Sequence, residues 1–421
     1  MPIALVDSNN FYAACEQSID PSIANRPLVI LSNNDGCVIA RSAEARAMGV
    51  SMGQPYFKIR HQLERIGAEI RSSNYTLYAD MSQRLMSIIE ANCEEIEAYS
   101  IDEAFVKISR PSNDILMAWA RRLREITYQR LSLPIAIGIG ESKSQAKLAN
   151  HLAKTITSCS GIFDLGIEND QDYFLKQVEV RNVWGVGPKF AHWCHIHGIH
   201  NALQLRDMPS NKLKKKFGVK GIRLQHELKG HRCINFLSQA IPKKEACVSN
   251  SLSRPIDSIG ELREIIATHT IRASEKLREH NQNATSITIF VRTSFYTPNF
   301  YSQSATQRLD LPSNDTRVLL RAALSLTNKV FHPNYLLIKA GVIMQKLLST
   351  DYLQLNLLST NELKGSKDES LIKAIDNLNK RYGRDTVYWA ACGINRKWKI
   401  RRSYLSALAT TRLSDIPIVR A

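Results

Sequence analysis

The chain has 421 residues, a formal net charge of +17, 44% hydrophobic residues and 23% charged residues. Length alone predicts two to four domains, and the composition is typical of a globular protein. No run of about 18 apolar residues could span a bilayer, and the N-terminal MPIALVDSNN lacks the basic start of a secretory signal, so a cytoplasmic protein without membrane contact is expected.

The first 165 residues alternate between strand and helix patterns. The segments IALVD, PLVILSN, AYSIDEAFVKI and PIAIGIG are predicted strands, because they are short apolar runs that end at polar residues or glycines. Between them, NNFYAACEQ, SAEARAMGV and MAWARRLREITYQRL are predicted helices. This part of the chain is therefore predicted to be an α/β or α+β domain.

Short helices separated by glycine turns are predicted from about residue 166 to 236, with SQAIPKKEACVSN as a linker after them. A second α+β domain follows, with helices in ELREIIATHTIRASEKLREH and TRVLLRAALSLTNKVF and strands in SITIFVRTSF and LIKAGVIM. The last 70 residues are more polar and are expected to be partly extended.

Positive charge is concentrated in the middle of the chain. Residues 166–346 contain 26 basic and 14 acidic residues, whereas the remaining 240 residues contain 30 and 25. Excess Lys and Arg of this kind usually binds phosphate backbones, so this part of the chain is the candidate nucleic-acid-binding region. A solvated basic surface without a ligand is the alternative.

Three acids interrupt predicted apolar strands: Asp7, and the pair Asp102 and Glu103. Acids at such positions are costly unless they are paired or bind a metal. Carboxylates on rigid elements suit Mg²⁺, and two such ions promote transfer of a phosphoryl group to a hydroxyl. The alternative is that these are ordinary acids at strand ends.

Other candidates accompany the acids. Phe11 and Tyr12 follow Asp7 closely enough to contact a bound nucleotide, although both rings could equally be core. Arg46, near Arg41, and Lys154 have the charge and donor geometry that binds triphosphates, with a salt bridge from Arg46 to Glu44 as the alternative.

Two further motifs lie downstream. Gly185 and Gly187, with Lys189 beside them, match a helix-hairpin-helix turn, in which backbone N–H groups bind a phosphate. The peptide Gln354-Leu355-Asn356-Leu357-Leu358 has the form of a segment that docks into a partner's pocket. The cluster of His192, Cys194, His195, His197 and His200 lacks a second ligand pair, which favours a structural role over a metal site.

The strings VDSNNFYAACE, LSNNDGCVIAR, SNYTLYADMS, YSIDEAF, GIGESKSQAKLANHLAK and VWGVGP together resemble the Y-family translesion DNA polymerases, within them the UmuC-type branch of bacterial and plasmid-borne enzymes. The resemblance implies a multi-domain α+β right hand with a ferredoxin-like palm, small fingers, a helix-hairpin-helix thumb and an α+β little finger. The implied ranges are palm 1–19 and 72–165, fingers 20–71, thumb 166–242, little finger 243–348 and a partner-binding tail 349–421.

The same resemblance implies roles for single residues. It makes Asp7, Asp102 and Glu103 ligands of two Mg²⁺ ions, Tyr12 the steric gate against ribonucleotides, and Phe11, Arg46 and Lys154 nucleotide-binding residues. Ala43 stands where many members have a tyrosine on the triphosphate, so Asn33, Asn34 or Ser42 is expected to replace that contact. QLNLL resembles the sliding-clamp peptide, with Leu358 where Phe is commoner.

The implied activity is error-prone synthesis on damaged, primed DNA during the SOS response, with the enzyme nucleoid-associated when active. Its implied partners are a processed UmuD′-type dimer, RecA and the sliding clamp. Fingers as short as residues 20–71 leave a loose pocket that tolerates damaged bases. A non-catalytic factor that binds DNA and the clamp is the alternative, and a nucleotidyl cyclase on a similar palm is a third reading.

Overall fold

The computed structural model of the chain describes residues 1–109, 112–167, 170–237, 242–351 and 365–416. The chain divides into two compact units. The first contains the described residues of Met1–Ser32, Gly36–Ala240 and Ser403–Ala421, and the second those of Asn33–Asp35 and Ile241–Arg402. The end of the chain therefore belongs to the same unit as its beginning.

The first unit contains two sheets and several helices. Its strands are β1 (Ile3–Ser8), β2 (Leu28–Leu31), β3 (Val38–Arg41), β4 (Glu69–Ser72), β5 (Glu95–Ala98), β6 (Glu103–Lys107), β7 (Ile135–Gly140) and β8 (Ile162–Asp164). Its helices are α1 (Phe11–Ile19), α2 (Ala43–Ala47), α3 (Tyr56–Arg65), α4 (Tyr75–Glu90), α5 (Asn113–Leu131), α6 (Lys143–Thr155), α7 (Gln171–Gln177), α8 (Pro188–Ile196), α9 (Ala202–Asp207) and α10 (Ser210–Leu228).

The larger sheet has the strand order β5-β6-β1-β7-β8, with β1 antiparallel to both neighbours. Successive side chains of a strand point to opposite faces. Ala4 and Val6 accordingly pack in the core that includes α4 and α5, whereas Ile3 and Leu5 pack on the other face with Ala146 of α6. The same alternation places Asp7 on the α6 face.

Helix α6 lies very close to this sheet. A Cβ atom at Gly138 of β7 would stand 2.0 Å from the backbone nitrogen of Asn150, so only glycine permits this approach. The Asn150 side chain donates a hydrogen bond of 2.9 Å to the carbonyl of Ala136. Close packing of this kind fixes which side chains of α6 reach the end of β1.

The sequence predicts that AYSIDEAFVKI is one strand, but in the structure this segment is divided between β5 and β6. The chain turns between β5 and β6, because the N–H groups of Tyr99 and Ser100 both donate to the carbonyl of Glu103 at 3.1 Å. Asp102 therefore lies in a turn directly before β6, rather than inside a strand. Polar Ser100 and Asp102, which interrupt the apolar pattern, mark this turn.

The second sheet of the first unit has the order β3-β2-β4. Helices α7 to α10 form a separate core with α6, as expected from the glycine-punctuated region. Two glycine turns separate segments of this region, as the sequence predicts in general terms: Gly185 has φ +90°, and Gly218, with φ +59° and ψ −146°, breaks α10 into two segments.

The second unit is an α+β domain, as the sequence predicts. Its elements are β9 (Glu245–Ile256), α11 (Ile259–Glu279), β10 (Gln282–Arg292), β11 (Ser302–Ser313), α12 (Thr316–Val330), β12 (Leu337–Gln345), β13 (Leu348–Ser349) and α13 (Gly365–Tyr382). The main sheet has the order β11-β10-β12-β9, and its core includes residues of α11 and α12.

One prediction for this part is wrong in extent: the proposed linker SQAIPKKEACVSN ends earlier, because β9 already begins at Glu245. Part of the polar tail is helical, since α13 occupies 18 residues of it. Among the described residues, no helix has the length and apolar character needed to cross a bilayer.

A buried ion pair joins α6 to β5. Lys143 Nζ lies 2.6 Å from Glu97 Oε2, and the two side chains are 2% and 11% exposed. Lys143 also donates to the carbonyl of Asn235 at 2.8 Å, and Glu97 accepts from the N–H of Leu237 at 2.7 Å. The pair therefore ties the segment after α10 to the sheet.

Lys143→Met is expected to lower the free energy of unfolding of the first unit by about 3 kcal/mol or more, because it leaves the Glu97 carboxylate buried without its cation. Chemical denaturation followed by circular dichroism measures this. Lys107→Met is the matched control, since Lys107 and its partner Glu95 are 29% and 44% exposed, and a loss below about 1 kcal/mol is expected there. Equal losses in the two variants would contradict the role given to burial.

Candidate active site

An open pocket in the first unit, with about 950 Å³ of space, brings together the predicted metal-binding and nucleotide-binding residues other than Glu103. Its walls are formed by the end of β1, the start of α1, β3, α2 and the turn before β6. Its lining residues include Asp7, Phe11, Tyr12, Arg41, Arg46, Asp102 and Lys154. Residues that are up to 147 positions apart in the sequence thus share one cavity.

The three predicted acids lie near one another at one end of the larger sheet. Asp7 of β1 is directly opposite Glu103 of β6 in the antiparallel register, and the N–H of Ser8 donates to the carbonyl of Asp102 at 2.9 Å. Burial raises the pKa of Asp7, whereas the nearby Lys154 lowers it and the charges of Glu103 and Asp102 raise it. The net upward shift means that burial outweighs the attraction of Lys154, so the charged form of Asp7 is costly unless donors or cations lie close to it.

Two lysines of α6 are paired with these acids. Lys154 Nζ lies 2.7 Å from Asp7 Oδ1, and Lys147 Nζ lies 2.6 Å from Glu103 Oε2. The two lysines are seven positions apart, which is about two helical turns and places them on one face of α6. Sequence reasoning included Lys154 but missed Lys147, although their spacing on a predicted helix is a signal that could have found it.

The side chains of the three acids do not converge on one point. Among the residues that the structure describes, no three Asp, Glu, His or Cys side chains stand close enough together to hold a metal ion. Each acid points to a different partner, because Asp7 pairs with Lys154, Glu103 pairs with Lys147, and Asp102 accepts a hydrogen bond of 2.5 Å from Ser100. Convergence of the three on one ion requires their side chains to turn away from these partners.

The aromatic residues after Asp7 have different environments. Phe11 is only 3% exposed and packs in the core, with an edge towards the pocket. Tyr12 is half-buried and stacks on Tyr78, with ring centroids 4.3 Å apart and planes at 14°. Tyr75 meets the Tyr12 ring edge-on at 6.3 Å. Tyr12 is thus held from one side by α4 and faces the pocket on the other.

Two arginines line the pocket at β3 and α2. Burial and the nearby charge of Arg46 lower the pKa of Arg41, and the Arg41 side chain donates to the carbonyl of Val50. Arg46 is exposed. Like charges held side by side favour an anion between them, so this wall is suited to phosphate oxygens.

Two of the residues expected to replace the tyrosine contact at Ala43 are occupied elsewhere. Ser42 Oγ is the N-cap of α2, accepting from the N–H of Ala45 and donating to the carbonyl of Arg26. Asn34 donates to the carbonyls of Ser251 and Leu252. Arg41, which shares the pocket wall with Arg46, is the better-placed polar side chain.

The predicted hairpin lies just before α8. Gly187 is the N-cap of this helix, Pro188 is its first residue, and Lys189 is exposed in its first turn. Because Gly187 has no side chain to cap the helix, its first N–H groups are accessible to an anion. Five exposed lysines lie around the second glycine turn, in α10: Lys212, Lys214, Lys215, Lys216 and Lys220.

In the histidine-rich segment, the Nδ1 atoms of His195 and His200 lie 3.1 Å apart, and His197 stacks on Trp193. The peptide of Gln354, Leu355, Leu357 and Leu358 lies outside the described residues.

Comparison with protein families gives three matches along the chain. The impB/mucB/samB family matches residues 6–151, its C-terminal domain matches residues 243–357, and a domain of unknown function (DUF4113) matches residues 369–419. The UmuC protein of Salmonella typhimurium is 37% identical over 98% of this chain and 99% of its own length. DNA polymerase IV 1 of Bacillus subtilis is 28% identical over 90% of each chain.

Solved structures with a similar fold are Y-family polymerases. A chimera of Dbh and Dpo4 has a TM-score of 0.65 and 19% identity, and the match covers 83% of this chain and all of that one. DinB from Sulfolobus solfataricus has a TM-score of 0.53, 18% identity and the same coverage. At these identities the likeness concerns the fold, and it confirms the predicted multi-domain α+β class.

Proposed function

Because the chain belongs to the impB/mucB/samB family, which includes UmuC, we propose that it is a template-directed DNA polymerase that joins deoxynucleotides to a primer 3′-hydroxyl and copies damaged templates. The observation that carries the proposal is the pocket in which Asp7 and Asp102 lie with Tyr12 and two arginines. Acids for metal ions, a bulky ring and cations for phosphates are the three groups that selection and transfer of a deoxynucleotide require.

The acids fit divalent Mg²⁺ by their chemistry. They offer hard oxygen ligands, and two of them already have a cation beside them, since Lys154 Nζ lies 2.7 Å from Asp7 Oδ1 and Lys147 Nζ lies 2.6 Å from Glu103 Oε2. Asp7, Asp102 and Glu103 would hold two ions. Bound there, the ions supply the charge that activates the attacking hydroxyl and steadies the pyrophosphate leaving group.

The remaining pocket residues orient the nucleotide. Arg41 and Arg46 bind the triphosphate through charge-assisted hydrogen bonds. Lys154 balances the Asp7 carboxylate when no other cation is present, and it releases that oxygen to bind phosphate when the site fills. Tyr12 closes the space that a ribose 2′-hydroxyl would need.

Fidelity in this proposal is low because the pocket is open. A wide pocket accepts distorted template bases and discriminates weakly between nucleotides, since little of the base pair is enclosed. The family suggests that the enzyme acts in the SOS response with a UmuD′-type dimer, RecA and the sliding clamp, the last through residues 354–358.

Primer extension tests the proposal directly. Purified full-length protein, alone and with UmuD′-type subunits and RecA, is given primed templates with and without an abasic site, Mg²⁺ and each single deoxynucleotide. Insertion that follows the template base supports a polymerase. Tight binding to primed DNA with no extension under any of these conditions would identify a non-catalytic factor that binds DNA.

The hairpin that contains Gly185 and Gly187 and leads into α8 is proposed to bind the DNA backbone. Lys189→Ala is expected to weaken binding to primed DNA to a similar degree for every sequence and to reduce the slope of log K against log salt by about 1. Fluorescence anisotropy at several salt concentrations measures both effects. Lys176→Ala, an exposed lysine in the last turn of α7, is the control, and the same change in both variants would remove the hairpin from this role.

A further inference from the structure

The final described segment, residues 403–416, lies on the first unit beside the start of α4. The N–H of Ser72 donates to the carbonyl of Tyr404 at 2.9 Å, and the N–H of Tyr404 donates to Ser72 Oγ at 3.0 Å. The Tyr404 and Tyr56 hydroxyls are 3.1 Å apart. These contacts fix the segment by its backbone and by a side chain.

Two residues later, a single hydroxyl reaches the interior of the unit. Ser406 Oγ accepts a hydrogen bond of 2.9 Å from the Asn74 amide and donates one of 3.1 Å to Glu16 Oε1. Asn74 is the N-cap of α4, and it is 1% exposed, whereas Glu16 is 2% exposed. A residue of the chain's end thus supports both the start of α4 and a buried carboxylate.

Glu16 connects this contact to the nucleotide pocket. Its Oε1 atom also accepts a hydrogen bond of 2.8 Å from the hydroxyl of Tyr78, which is fully buried. Burial raises the pKa of Glu16, while the hydrogen bonds from Tyr78 and Ser406 lower it. A carboxylate this deeply buried depends on such donors to remain charged.

The Tyr78 ring is the surface on which Tyr12 stacks, at 4.3 Å between centroids. Tyr75, from the same turn of α4, meets both rings edge-on at 6.3 Å. Any shift of α4 or rotation of Tyr78 therefore moves the support of Tyr12. The contacts run without a gap from the chain's end to the wall of the pocket.

We propose that the C-terminal segment 403–416 positions the sugar-selecting wall of the pocket, with Ser406 fixing Glu16, Glu16 fixing Tyr78, and Tyr78 supporting Tyr12. This proposal assigns a role to the last part of the DUF4113 region, residues 369–419. It rests on the proposed polymerase function. Ser406 and Glu16 are positioning residues, because neither lines the pocket and both act through Tyr78.

The test compares insertion of one deoxynucleotide with insertion of the matching ribonucleotide. Ser406→Ala in the full-length protein is expected to raise the kcat/KM ratio of ribonucleotide to deoxynucleotide by about 3- to 10-fold, as loss of one ordinary hydrogen bond allows. Loss of folded enzyme lowers both rates equally, so it leaves this ratio unchanged. Ser406→Thr retains the hydroxyl and is expected to keep the original ratio.

Two controls locate the effect. Ser414→Ala removes another hydroxyl of the same segment, one that bonds to Asp415, and it is expected to leave the ratio unchanged. In a Tyr12→Ala background, Ser406→Ala is expected to add nothing further, because residues that act through one another are not additive. An additive effect, or no effect of Ser406→Ala alone, would overturn the inference.

The outcomes separate this inference from the proposed function. If the unaltered protein does not extend primers, the polymerase proposal fails. If it extends them and Tyr12→Ala changes the sugar ratio while Ser406→Ala does not, only the positioning role of the C-terminal segment fails.

Discussion

Asp102→Asn is expected to reduce nucleotide insertion by about a thousandfold or more while binding to primed DNA stays within about twofold. A metal ion in such a site contributes several kcal/mol of transition-state stabilisation, and about 1.4 kcal/mol corresponds to a factor of ten in rate. In the proposed role of Asp102, the amide removes charge that would hold the ion. DNA binding is expected to be unaffected, because it is proposed to depend on lysines and backbone N–H groups elsewhere.

The structure indicates that this substitution leaves the fold intact. Asn is nearly isosteric with Asp, and its side-chain oxygen still accepts the hydrogen bond from Ser100. The carbonyl that receives the Ser8 N–H belongs to the backbone and is unchanged. Loss of activity with an unaltered melting temperature would therefore report on chemistry rather than on folding.

Single-nucleotide insertion kinetics, DNA-binding anisotropy and thermal unfolding of the same preparation make the comparison. Asp114→Asn is the charge-matched control, since Asp114 is an exposed acid in the first turn of α5, and full activity is expected. If Asp102→Asn also abolished DNA binding or lowered the melting temperature markedly, Asp102 would have a structural role, and its proposed role as a metal ligand would be contradicted.

Much of this site could be predicted from the sequence because the signals are local. Asp7 ends an apolar strand, and the alternation of that strand determines which face it occupies. Tyr12 and Arg46 were predicted from motifs within the same short segments, and the structure brings them to one pocket with Asp7. Family membership, predicted from the same strings, is confirmed by the comparisons, whereas the five domain ranges remain a prediction.

What the sequence could not provide depends on contacts between distant segments. The pairing of Lys147 with Glu103 requires the depth at which α6 packs on β7, which depends on Gly138. The turn at Asp102 was hidden because two short strands with one polar interruption look like one longer strand. The bond from Ser406 to Glu16 joins residues 390 positions apart, and no local pattern predicts it.

The second large effect is expected on sugar selectivity, from substitution of Tyr12. Tyr12→Ala is expected to raise the kcat/KM of ribonucleotide insertion relative to deoxynucleotide insertion by about 10- to 100-fold, since overlap with a tightly placed group costs about 1–3 kcal/mol. The ring cannot move away from a 2′-hydroxyl, because Tyr78 stacks against its other side. Removing the ring opens that space.

Steady-state insertion opposite one template base, with each sugar in turn, measures the change. Tyr12→Phe separates the bulk of the side chain from its hydroxyl. Exclusion by volume predicts that the phenylalanine variant keeps the original sugar ratio, because the ring still stacks on Tyr78 and still fills the same space. Equal loss of selectivity in the Phe and Ala variants would assign discrimination to the hydroxyl, and an unchanged ratio in the Ala variant would remove Tyr12 from sugar selection altogether.

The deoxynucleotide rate is the internal reference for this comparison. Because Tyr12 contributes to the core around α1 and α4, a general loss of packing lowers both rates and leaves their ratio unchanged.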